Sequence, residues 1–195
     1  QNAIAGNDLN NSGAIGAVAV AGQNLGNSGA ISVSAIATNN VRNSGAIGGD
    51  AEARGGNLES SGLIVGNAAA QGDLANSGAI GQNAIAGNDL ASSGLIVGNA
   101  TAQGDLANSG EIGQSAVAGR DLVNLGVVAV RAVAERHLDN LGAIGEAALA
   151  GENLANAGLI VADAIAGNQL TNSGAIGQNA IAGNDLNNSG AIGAV

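Results

Sequence analysis

The chain has 195 residues, a net charge of −10 and no Cys, Met, Pro, Phe, Tyr or Trp, while 46% of it is apolar. The acidic balance disfavours nucleic acid and anionic membrane surfaces as partners, and no apolar run reaches the length of a membrane span. Without aromatic side chains any core must be thin and filled by Ile, Leu, Val and Ala, yet the apolar content is too high for a solvated tail.

From the N-terminus onward the elements are copies of one unit. Glycines recur at Gly13, Gly29, Gly45, Gly62 and onward to Gly190, every step being 16 residues except the 17 between Gly45 and Gly62. Counting each repeat from that Gly as position 1, position 3 is Ile or once Val128, positions 7 and 9 are Ala, position 13 is Leu or once Val41, and position 15 is Asn or Ser. These positions are all odd, a period of two that marks strands rather than helices. Because 16 is even, the same parity faces inward in every repeat. The spacing predicts an all-β, single-stack parallel β-solenoid (β-helix) of about 12 coils, with two or three short strands per coil and a length on the order of 55–60 Å. Corners are expected near position 5 and positions 10–12, where Gly, Gln, Asn and Asp concentrate. Helical repeats would carry too many glycines, and the Asn-Gly and Asp-Gly turns of a hairpin meander are absent.

The third complete repeat holds the single insertion, within Arg54-Gly55-Gly56-Asn57. A corner absorbs one residue without reversing a strand, whereas an insertion inside a strand would turn the inward set outward. Further along, inward Asn108, Asn124, Asn140 and Asn156 are expected to pair their amides from coil to coil.

Outward columns are unexpectedly aliphatic. Position 8 carries Ile85, Val117, Val133, Leu149 and Ile165. Positions 2 and 4 carry Leu63 and Val65, Leu95 and Val97, Val127 and Ala129, then Leu159 and Val161, each pair 32 residues from the last. Ridges would thus alternate with grooves every two coils, roughly 9–10 Å, a face suited to lateral packing against another solenoid.

Polar columns offer little chemistry. Asp73, Asp89, Asp105 and Asp121 share position 12 in consecutive coils; a calcium row would relieve their repulsion, but Asp and Asn also favour corners for their own sake. His137, the only His, lies in the same column and has no Cys or second His with which to build a metal or nucleophile site. Arg136 and Glu152 share position 11 in successive coils and are expected to pair. Thr38, Thr101 and Thr171 fall at positions 10, 8 and 14 and form no row, so the regular polar array of a ligand- or ice-binding module is not found. No cofactor and no catalytic residues are expected.

The segment Leu-x-Asn-x-Gly-x-Ile, as in Leu74-Ala75-Asn76-Ser77-Gly78-Ala79-Ile80, resembles the repeat core of filamentous-haemagglutinin-type bacterial adhesins over nearly the whole chain, although that family's coils are usually longer. The resemblance implies a right-handed β-helix, a location outside the cell or on its surface, and no active site. Gln1–Val18 and Gln178–Val195 are identical, which suggests a single repeat domain cut from a longer array. The expected function is an extracellular structural protein that packs against copies of itself, side by side or end to end, into filaments or matrix. The alternative is the stalk of a large surface adhesin, whose partner would be a host or cell-surface target.

Overall fold

A computed structural model describes residues 1–193. It is a β-solenoid of three parallel 12-stranded sheets, each coil contributing one strand to every sheet. The alanine sheet runs from Ala3–Ala5 to Ala180–Ala182, the leucine sheet from Leu9–Asn11 to Asp185–Asn188, and the isoleucine sheet from Ala14–Ile15 to Ala191–Ile192. There are therefore three strands per coil, and pairing is in register by whole repeats: Ala84 faces Ala100, Leu90 faces Leu106, and Ile80 faces Ile96.

The core is one narrow column. Position 3 Ile, positions 7 and 9 Ala, and position 13 Leu are buried coil after coil, with only the end coils opening. Two small Ala on one wall leave room for the Ile and Leu that reach across from the other two, so no ring is needed to fill the centre. The insertion lies at a corner. Ala51 pairs with both Ala35 and Ala68, and Leu58 with both Val41 and Leu74, so parity is kept across the long repeat.

The period-of-two reading misplaces position 1. Those glycines share the parity of the inward residues, but they lie with position 16 at a third corner that the sequence reading does not anticipate. A Cβ on Gly29 would collide with the carbonyl oxygen of Gly13 one coil below, and the same collision repeats at Gly94 against Gly78. The invariant Gly is thus imposed by the close stacking of corner backbone, not by burial. At this corner the N–H groups of Ser28 and Gly29 both donate to the Asn11 carbonyl, at 2.8 and 3.2 Å, and the Ser28 hydroxyl donates to it as well at 3.2 Å.

Position 15 forms the expected amide ladder inside the rod. The Nδ2 of Asn108 donates to Oδ1 of Asn124 at 2.9 Å, and the chain of donors continues through Asn140, Asn156 and Asn172 at 2.8 Å per step. Each amide also donates to a carbonyl in the next coil, as Asn108 does to Val127 at 3.1 Å. The ladder has a direction, every Nδ2 pointing toward the C-terminal coil. It is interrupted where Ser60 and Ser92 stand in place of Asn. Their hydroxyls turn to Gly62 and Gly94 carbonyls in their own coils. The next rungs, Asn76 and Asn108, are left with buried Oδ1 atoms that have no hydrogen-bond partner.

Ser60→Asn and Ser92→Asn should restore those donors on a backbone that already accommodates Asn in neighbouring coils. Each is expected to raise stability by about 1 kcal/mol or more, read as a higher urea midpoint and Tm, and the double variant should depart from additivity because both new amides bond Asn76 between them.

Candidate assembly surfaces and the acidic corner

Three outer faces result from this geometry, and each has its own texture. On the isoleucine sheet, Leu63, Val65, Leu95, Val97, Val127, Leu159 and Val161 are all exposed, from 37% at Leu95 to 51% at Val97. Between them Ala79, Ala143 and Ala175 lie half-buried. Register fixes the alternation: Ala79 pairs with Leu63 and Leu95, and Ala143 with Val127 and Leu159. The ridges expected from the sequence are therefore brought onto one face at every second coil.

On the alanine sheet, position 8 points outward. Ile85 and Val117 are exposed, while Val133, Leu149 and Ile165 are half-buried beside their stacked neighbours. This column changes from coil to coil without a two-coil period, Glu52, Ala69 and Thr101 interrupting it.

The leucine sheet carries a feature that the sequence reading passes over. A groove of about 930 Å³ runs along its outer face from Asn10 to Leu125, with small residues such as Ala75, Ala91 and Ala107 along its lining and a column of serines beside them. Position 16 is Ser in seven successive coils, Ser12 through Ser109, before Leu125 and Leu141 replace it. That is a regular polar array, legible in the sequence although the threonines form none. Leu125 and Leu141 stand out at 57% and 59% exposure.

The acidic column is also more organised than a run of solvated corners. The position 12 carboxylates in this stretch accept a hydrogen bond from the backbone of the next coil: Asp89 from the Asp105 N–H at 2.8 Å, Asp105 from Asp121 at 3.2 Å, and Asp121 from His137 at 3.2 Å. Asn40 and Asn57 serve the same role at 2.9 Å, which explains why Asp and Asn interchange there. A second such column at position 6, including Asp50, Asn67, Asn83 and Asn99, satisfies the corner before the alanine sheet; it has no counterpart in the sequence reading.

Arginines neutralise part of the Asp column. Arg120 reaches back over two coils to Asp105 at 3.2 Å and Asp89 at 2.9 Å. It lies across Gly104, where a Cβ would come within 2.9 Å of its guanidinium. Arg136 pairs with Asp121 at 2.8 Å, not with Glu152 as its column position suggests. The carboxylate one coil back is already anchored by the backbone, whereas Glu152 lies 3.6 Å from His137 Nε2. The His137 ring also meets the Asn153 amide at 3.2 Å. Asp73 is the member of the four without an arginine among the described residues. No group of three or more His, Cys, Asp or Glu poised for a metal ion is found among the described residues.

Comparison with protein-family models, with curated proteins and with solved structures finds no match to this chain.

The backbone N–H of Asp105 holds the Asp89 pKa below its ordinary 3.8, with Arg120 adding to the effect and burial opposing it. A depressed folded-state pKa contributes stability above the ordinary carboxylate range that is lost as pH falls through the lowered value. Asp89→Asn keeps an acceptor for the corner but removes one of the two carboxylates that Arg120 pairs with, leaving Asp105. Its urea midpoint should be slightly lower than that of the unaltered chain at neutral pH, and the two should converge as the pH is taken below 3.8.

Proposed function

We propose that the chain is an extracellular structural protein whose solenoids pack laterally, and stack end to end, into filaments or a matrix. The observation that carries this reading is the row of exposed Leu and Val at every second coil of the isoleucine sheet, interleaved with half-buried Ala. Isolated surface aliphatics are ordinary, but seven on one face of a rod form an extended apolar stripe, interrupted by Glu111. Covering the exposed half of seven such side chains would stabilise by about 5–10 kcal/mol. That is close to the cost of bringing two molecules together, so affinity should rise steeply with the number of ridges engaged. A longer array would associate far more strongly than a short one.

A rod suits this role for a second reason. Its interior repeats almost without variation while its outer columns vary, so the fold is indifferent to what the faces carry. The placement outside the cell rests on the resemblance to secreted adhesin repeats.

Electron microscopy of the purified chain over a range of concentrations tests the reading. Bundles or long regular fibres are expected, and Leu63→Lys, Leu95→Lys and Leu159→Lys combined should abolish lateral association while leaving the β-sheet circular dichroism unchanged. Single short rods at every concentration would instead favour the stalk of a surface adhesin.

A further inference from the structure

The surface that covers the isoleucine sheet must share its period. Its bulky coils recur every second strand, roughly every 9–10 Å, whereas a uniform face would meet the ridges and leave the intervening alanines uncovered. Neither of the other two sheets offers that alternation: position 8 and position 14 change irregularly along the rod. The matching counterpart is the isoleucine sheet of a second copy.

Symmetry restricts how the two copies meet. Parallel rods with their coils level would set ridge against ridge. An antiparallel arrangement with a two-fold axis between the coil of Glu111 and the coil of Val127 does the reverse along the whole face. It sets Leu95 opposite Ala143 and Leu63 opposite Ala175, and it sets Leu159 opposite Ala79. Leu63, Leu95 and Leu159 each enter a groove over an alanine, while Val127 meets Glu111 of the other copy, and every contact occurs twice, as in any isologous interface.

Charge selects this axis over those displaced by one or more coils. Glu111 is the only charged residue in the position 2 column, and it is exposed between the Leu95 and Val127 coils. Arg131 sits one coil further on, at the corner bordering the same sheet. It is exposed, and it is the one arginine that makes no ion pair among the described residues. The axis between their coils brings Glu111 of each copy level with Arg131 of the other. A parallel arrangement slipped by one coil also meshes ridges with grooves, but it brings the two charges level only once per interface.

We propose that two copies of this chain associate antiparallel through their isoleucine sheets, ridge into groove, with Glu111 of each level with Arg131 of the other. The inference rests on the lateral-packing reading and specifies its partner and orientation. The chain lacks cysteine, so introduced thiols report the geometry directly. A chain carrying Leu95→Cys and Ala143→Cys, three coils apart and too distant to join within one rod, is expected to form a disulfide-linked dimer on mild oxidation, seen on a non-reducing gel. Neither single variant should do so. Separately, Glu111→Arg should weaken association about tenfold by sedimentation, and Arg131→Glu added to the same chain should restore it. If rods associate but the paired thiols do not link, or if the double charge reversal fails to restore association, the antiparallel arrangement is wrong while lateral packing stands. If the chain stays monomeric at every concentration, both fall.

Discussion

Everything in this molecule follows from stacking like on like. A coil of constant even length, rising one strand spacing per turn, places each side chain directly over its own equivalent in the preceding coil. That arrangement is favourable for Ile, Leu and Ala, which need only bulk and shape, and for Asn, whose amide is both donor and acceptor and can chain indefinitely. It is unfavourable for like charges and for any Cβ at a tightly stacked corner. The composition of the chain reads as the set of residues that tolerate being their own neighbours.

The corners show how the unfavourable cases are handled. At two of them an Asp or Asn oxygen accepts the backbone N–H of the next coil, so the stacked carboxylates each have a donor before any counter-ion is considered. Arg120 and Arg136 then relieve the repulsion in the stretch where Asp residues follow one another without an intervening Asn. At the third corner, the side chain is removed altogether at Gly, and the serine hydroxyl is folded back on the carbonyl beneath. Two different solutions serve one problem, the pairing of backbone groups where the strands break.

The fold was legible because parity survives translation by 16 residues; Ile31, Leu25, Ala19 and Ala21 are buried as their odd positions imply. Parity could not say where strands end, and it counted Gly29 among inward residues when its reason for being Gly is a carbonyl one coil away. The amide ladder was legible from Asn108 to Asn156, but its direction and the defects beneath Asn76 and Asn108 depend on which atom faces which coil. Arg136 illustrates the limit of column reasoning. A long side chain chooses among partners one and two coils away, and the column alone does not rank them. The ridges at Leu63, Leu95 and Leu159 were legible in full, since a 32-residue period on a 16-residue frame is visible without coordinates. The serine column beside the leucine sheet is equally visible in the sequence, at position 16 from Ser12 to Ser109.

The contrast between the two periods is the strongest argument for assembly. Interior positions repeat every coil because the core demands it, apart from exceptions such as Ser60 and Ser92 in the amide ladder. The isoleucine sheet nevertheless doubles that period on its outer side, where Leu63 and Val65 give way to Ala79 and Gly81 and return as Leu95 and Val97. A face exposed only to water has no use for such doubling, because water does not distinguish alternating coils. A rigid partner does, and a ridged surface that repeats every second coil is complementary to the same surface displaced by one. Self-complementarity of this kind needs no second component, which is the physical ground for proposing another copy of the chain as the partner.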